Sequence, residues 1–234
     1  MEVVMQGIGL TKTFGSGDLL ITAVDHMDFS VKEGELVVIL GQSGAGKSTL
    51  LNLIGGMDTV SEGQLLIRGE DIAKFSRRQM TDYRRNRIGF VFQFYNLMPN
   101  LTARENVELA TEMNKNALDP EETLRSVGLG DRLDNFPAQL SGGEQQRVSI
   151  ARAVAKNTDL ILCDEPTGAL DYETGKEILA LLAKQAHENG KTVIIVTHNS
   201  AIADMADHLI RIRYGKIVLD EYNEHPKPIE EIEW

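Results

Sequence analysis

The run Gly41-Gln42-Ser43-Gly44-Ala45-Gly46-Lys47-Ser48-Thr49 constrains this chain more than any other stretch. It has the spacing G-x-x-x-x-G-K-[ST], follows the continuous apolar segment Leu36–Leu40, and opens a helical pattern that runs to residue 57. Strand, glycine-rich loop and helix in that order make a phosphate-binding loop. Glycines let backbone N–H groups wrap a polyphosphate, and the start of a helix adds a favourable dipole. Lys47 is then expected to reach the β and γ phosphates, and the Ser48 hydroxyl to ligate Mg²⁺. An uninterrupted apolar strand ahead of the loop belongs inside a parallel sheet.

The rest of the chain is organised around this unit. Residues 3–31 read as two strands joined by the turn Gly15-Ser16-Gly17. Gln64–Arg68 and Ile88–Phe92 read as further strands, with a basic helix over Arg77–Arg87 between them. From residue 94 to 157 the pattern is helical. Thr102-Ala103-Arg104-Glu105 is a capping box, and Asp119-Pro120-Glu121-Glu122 opens a second helix with Pro at its first position. Ser141–Lys156 reads as a third helix. Alternation then returns: strand Leu160–Cys163, helix Asp171–Glu188, strand Thr192–Thr197, a short helix after Asn199, and strands at Leu209–Arg213 and Lys216–Leu219. This is an α/β core interrupted by a helical insert. The tail over 221–234 is acidic, carries Pro226 and Pro228, and reads as extended and peripheral.

Composition excludes several classes. Asp and Glu number 35 against 24 Lys and Arg, a formal charge of −11 that disfavours a nucleic-acid partner, because phosphate contacts need cations. The one cysteine, Cys163, cannot form an internal disulfide framework, as expected for a reducing cytoplasm. No apolar run approaches the roughly 20 residues of a membrane-spanning helix, and residues 1–4 do not read as a signal peptide.

Leu160-Ile161-Leu162-Cys163-Asp164-Glu165 is an apolar strand ending in two carboxylates. Adjacent acids at a strand end are often plain solvated residues. In the same chain as a phosphate loop they acquire roles: Asp164 to hold Mg²⁺, Glu165 to polarise an attacking water. Leu140-Ser141-Gly142-Gly143-Glu144-Gln145-Gln146-Arg147 combines a capping box, Ser141 with Glu144, and two glycines that expose N–H groups at a helix start.

This last segment resembles the signature of the ATP-binding-cassette (ABC) family, and other family positions match in order. Gln93 matches the Q-loop, Asp164 and Glu165 match Walker B, Gly168-Ala169-Leu170-Asp171 matches the D-loop, and His198 matches the switch histidine. The resemblance runs over residues 3–220. It implies an α/β fold: a P-loop NTPase (RecA-like) core with an antiparallel N-terminal β subdomain and a helical subdomain at 94–157 that carries the signature. Residues 1–220 then form a single ABC ATPase domain, followed by the tail at 221–234. The implied cofactors are ATP and Mg²⁺. The implied catalytic residues are Lys47, Gln93, Glu165 and His198, and the implied metal ligands Ser48, Gln93 and Asp164. Gly41, Ser43, Gly44, Ala45, Gly46, Lys47, Ser48 and Thr49 would hold the phosphates. Two copies would pair head to tail, with Ser141, Gly142, Gly143 and Glu144 of one closing on the γ-phosphate held by the other, and Asp171 linking the two sites. Phe14 stands where many members place an adenine-stacking Tyr; Phe keeps the π-face.

Within the family, Gln93-Phe94-Tyr95-Asn96-Leu97-Met98-Pro99-Asn100-Leu101-Thr102-Ala103-Arg104-Glu105-Asn106-Val107 is similar to the MacB, LolD and FtsE class. Leu50–Gly56 and Asp164–Gly168 fit that class too, whereas Gly168-Ala169 departs from the Gly-Asn of several members. The class implies an ATPase at the cytoplasmic face of the cell membrane, docked near 94–107 to a separate MacB/FtsX-like permease. Phe94 and Tyr95 are expected there as exposed anchors. Efflux of antimicrobial peptides or macrolides leads among the implied roles, ahead of lipoprotein release, cell-division signalling and a soluble, non-transport ATPase. Trp234 is expected either to pack on the cassette or a partner, or to end a frayed terminus.

Overall fold

The computed structural model describes residues 2–112 and 114–233, so Trp234 and its expected packing lie outside the described residues. Strands β1 (Val3–Phe14) and β2 (Ile21–Lys32) form an antiparallel hairpin, and β1 also pairs with β4 (Glu62–Ile67). With the short β5 (Glu70–Asp71) they make a four-stranded sheet ordered β2-β1-β4-β5. The second sheet contains β3 (Leu36–Leu40), β6 (Ile88–Val91), β7 (Leu160–Asp164), β8 (Thr192–Thr197), β9 (His208–Arg213) and β10 (Lys216–Tyr222). Its order is β10-β9-β3-β8-β7-β6, parallel except for the β9–β10 hairpin.

Both faces of this sheet are covered, and the period-2 alternation of each strand divides it between two cores. Val37, Ile39, Leu160, Leu162, Ile194 and Val196 face the antiparallel sheet and helix α1 (Lys47–Ile54), where they join Leu10, Leu50 and Leu51. Leu36, Val38, Ile161, Cys163, Val193 and Ile195 face the other way, toward α5 (Gly142–Ala155) and α6 (Tyr172–His187). Each such fully buried aliphatic side chain contributes about 1.5–3 kcal/mol.

Helices α2 (Arg77–Arg87), α3 (Ala103–Thr111) and α4 (Pro120–Ser126) complete the chain. Thr102 and Glu105 form both halves of the capping box of α3, and Asp119 caps α4 with Pro120 at its start. Between β6 and β7, α3 and α4 pack with the α5 residues Val148, Ala151 and Ala155 around Val107, Leu124 and Leu129, a third core of their own. The insert therefore has independent packing.

The tail departs from its sequence reading. Most of it is exposed as read, but it is anchored: Ile232 is 2% exposed within the core beside α6, and Lys227 Nζ pairs with Asp204 Oδ2 at 2.8 Å. The tail's own apolar residues, Ile229 and Ile232, draw it onto the domain despite its acidic composition.

His208, on β9, is a second feature the sequence left unread. Its side chain is fully buried and stacks on Tyr222 with ring centroids 4.3 Å apart. Nε2 lies 2.5 Å from Asp220 Oδ1, while Nδ1 makes no hydrogen bond and faces Glu35 Oε2 at 3.7 Å. Burial opposes the imidazolium, but the two carboxylates outweigh it and raise the pKa above 6.5. Lys32, over the Tyr222 ring, is the nearby cation. A raised folded-state pKa means that the contribution is complete below the unfolded value and is lost as pH rises through the folded one. Denaturant unfolding from about pH 6 to about pH 9 is expected to show stability falling with pH, and a His208→Gln chain to lack that component. Parallel profiles for the two chains would contradict it.

Candidate functional site

The strand order brings the chemistry together. β8 lies between β3 and β7, all parallel, so the loops after these strands open at one edge of the sheet. That edge is where α/β sheets bind ligands. The loop after β3 is the phosphate loop, β7 ends in Asp164, and β8 is followed by His198. A cavity of about 590 Å³ at this edge is lined by Ser43, Gly44, Gly46, Lys47, Ser48 and Thr49 of the loop. Gln93, Asp164, Glu165 and His198 line it as well.

Two glycines of the loop are dictated by geometry. Gly46 has φ +102°, and a Cβ there would collide with the Ala23 carbonyl oxygen on β2. Gly41 approaches the Ile212 carbonyl equally closely. Gly44 takes φ +77° with open space where its side chain would stand, so the backbone is bare toward the cavity. Gly46 is the N-cap of α1, and no side chain caps that helix. Its first N–H groups are thus free for an anion, which is the property a phosphate site requires.

Lys47 is buried and donates to the carbonyls of Gly41 at 2.8 Å and Gln42 at 3.2 Å, with Glu165 Oε1 3.7 Å away. Ser48 Oγ donates to Asp164 Oδ1 at 3.1 Å. Burial raises the Asp164 pKa, the Ser48 bond and Lys47 oppose it, and the Glu165 charge adds to it. Glu165 Oε1 lies 3.0 Å from His198 Nδ1. Glu165 adopts φ +45°, held by its N–H bond to the Val196 carbonyl at 2.9 Å. A left-handed non-glycine residue at a strand end is strained and re-aims its side chain. Here it turns the carboxylate to His198 and Lys47.

The hydroxyl of Ser48, the carboxylate of Asp164 and the amide oxygen of Gln93 are hard oxygen donors of the kind that suit Mg²⁺. Ser48 Oγ and Asp164 Oδ1 are already 3.1 Å apart, within reach of one small cation. The residues present therefore fit that ion.

The signature segment stands elsewhere. Ser141 caps α5, accepting from Glu144 N–H, and Glu144 Oε2 accepts from Ser141 N–H at 2.8 Å. The Ser141 N–H and hydroxyl, assisted by Arg132 at 3.0 Å, hold the Glu144 carboxyl below its ordinary value. Ser141 is exposed, and none of Ser141, Gly142, Gly143 and Glu144 lines the phosphate-loop cavity. Gly143 packs so tightly on Thr174 of α6 that a Cβ would strike its Cγ2.

Phe14 is at the end of β1, 43% exposed and outside the residues that line the cavity. Phe94 is 74% exposed. Tyr95, expected exposed, is half-buried, because its hydroxyl reaches the start of α5 beside Gly142. Sequence reasoning missed Arg152. From α5 it donates to the carbonyls of Tyr95 at 2.7 Å and Asn96 at 2.6 Å, two residues at positive φ that follow the Q-loop glutamine after Phe94. An arginine within the apolar run of α5 was the available signal. Ala23 also lines the cavity but carries no chemistry to notice.

Known proteins agree with this geometry. Residues 24–168 match the ABC transporter family model. An ABC transporter ATP-binding protein of Thermotoga maritima is 48% identical, covering 93% of this chain and 94% of that protein. The macrolide export ATP-binding/permease protein MacB of Brucella melitensis is 46% identical over 90% of this chain, which spans only 33% of MacB. Among solved structures, the dimeric post-hydrolysis state of the ATP-binding cassette MJ0796 with ADP and Pi superposes with a TM-score of 0.86. It is 41% identical and covers 93% of this chain and 98% of that one. The cavity, the motif order and these matches place the chain in the ABC transporter family, as one of its ATP-binding and ATP-hydrolysing cassettes.

Proposed function

We propose that this ATPase works as a head-to-tail homodimer at the cytoplasmic face of the cell membrane, driving a separate MacB/FtsX-like permease. Its work in this reading is the efflux of antimicrobial peptides or macrolide-type compounds. One observation carries the dimer: the signature residues, which open the capped helix α5, lie outside the cavity that their own chain builds. Each half-site then needs the other copy. The dimeric MJ0796 cassettes and the relatives named MacB support the reading. Among the described residues no helix is long and apolar enough to cross a membrane.

In this reading the backbone of Gly44–Thr49 cradles the phosphates, and Lys47 exchanges its carbonyl partners for phosphate oxygens. Phe14 offers an exposed ring to the adenine. Ser48, Asp164 and Gln93 would hold Mg²⁺, which when bound would neutralise phosphate charge. Glu165 takes a proton from the attacking water, and His198 keeps its carboxylate in place. Phe94, exposed beside the helical insert, anchors the permease.

The test is affinity capture of tagged Glu165→Gln protein from detergent-solubilised membranes with Mg-ATP. The expected result is one stoichiometric permease with a large extracytoplasmic domain, and cargo assays follow from its identity. A lipoprotein-release or cell-division permease would keep the class and change the cargo. Soluble partners alone would overturn the transport role.

A further inference from the structure

The C-terminal segment is built into the same stack as the signature and the turn before α6. Tyr172 Oη donates to the Ile232 carbonyl at 3.0 Å, and Lys176 Nζ donates to the Glu230 carbonyl at 3.1 Å. These two donors are one helical turn apart and so reach the same strip of chain. Ile232 is buried in the cluster that contains Ile178 and Leu179, against which Leu170 and Ile229 also pack. Leu170 and Asp171 are the end of the D-loop match, and Asp171 caps α6 through Thr174 N–H at 3.1 Å and Thr174 Oγ1 at 2.8 Å. The same Thr174 is the residue on which Gly143 packs. Arg147–Glu177 at 2.7 Å fastens α5 to α6, and Gln146 Nε2 donating to the Pro166 carbonyl at 2.9 Å ties α5 to the loop that leads into it. The signature, the D-loop turn and the tail thus meet at one helix end, the Asp171-capped start of α6.

We infer that Ile229–Glu233 is a brace that positions the Leu170–Asp171 turn and the signature for closure on a second copy, with Tyr172 and Ile232 as positioning residues. The brace rests on the head-to-tail reading above. None of its residues lines the phosphate-loop cavity, so its loss weakens pairing and leaves nucleotide capture by the single chain intact.

The experiment uses the Glu165→Gln chain, whole and lacking residues 229–234, with light scattering for ATP-driven dimerisation and equilibrium titration for ATP binding. The truncated chain is expected to keep ATP affinity within about twofold while its dimerisation constant weakens about tenfold. Tyr172→Phe, which deletes one hydroxyl and keeps the ring, guards against a truncation that misfolds; it is expected to weaken dimerisation about threefold. With Glu165 restored, both changes should lower kcat at limiting protein concentration and leave KM for ATP unchanged. Equal dimerisation in all three chains overturns the brace. Loss of ATP affinity in step with dimerisation also overturns it, since the tail would then support the whole fold. A whole chain that stays monomeric with ATP overturns the head-to-tail reading, and the brace with it.

Discussion

Replacing Glu165 with Gln is expected to lower ATP turnover about a thousandfold while ATP still binds, the size of effect a positioned general base supplies. The substitution is nearly isosteric, so the left-handed turn at residue 165, its N–H bond to the Val196 carbonyl and the contact with His198 can all persist. Only basicity is lost, because an amide does not accept the proton of an attacking water. Nucleotide capture belongs to Gly44–Thr49 and Lys47, which the change leaves alone. Single-turnover hydrolysis beside equilibrium ATP titration separates the two. Turnover near the wild-type value would remove Glu165 from its role.

Ser141→Arg is expected to lower hydrolysis at least about a hundredfold, by denying a developing phosphate charge its N–H donors. The lost cap alone costs about 1 kcal/mol, so the chain should remain folded and bind ATP. The discriminating form of the experiment mixes two dead chains. Lys47→Ala removes the phosphate-loop half and Ser141→Arg the signature half. A mixed dimer then holds one site with both halves intact, and mixing should restore activity that neither chain has alone. Full hydrolysis by Ser141→Arg alone would end the shared-site reading.

Much of this molecule was legible from residue order. The phosphate loop, the capping boxes at Thr102 and Ser141, Pro120 at a helix start and the apolar strands Leu36–Leu40 and Thr192–Thr197 all stand where the sequence puts them. Each depends on a few neighbouring residues: a cap needs a side-chain oxygen near its own helix, and a phosphate loop needs glycine where φ is positive. The family resemblance singled out His198 and Glu165 separately, and only the fold pairs them, across 33 positions.

Other features exist only once the chain is packed. The order β10-β9-β3-β8-β7-β6 juxtaposes Lys47, Asp164, Glu165 and His198, and it is chosen by the summed burial of strands distant in sequence. The His208 pKa is raised because Glu35 and Asp220 arrive from distant parts of the chain. Tyr95 is turned inward by the start of α5, and the acidic tail is held down by Ile232, an apolar residue whose partners lie on a helix some fifty residues earlier. Local sequence sets backbone conformation residue by residue. Burial and charge depend on what the rest of the fold brings near, and that is why the tertiary structure alone decided them.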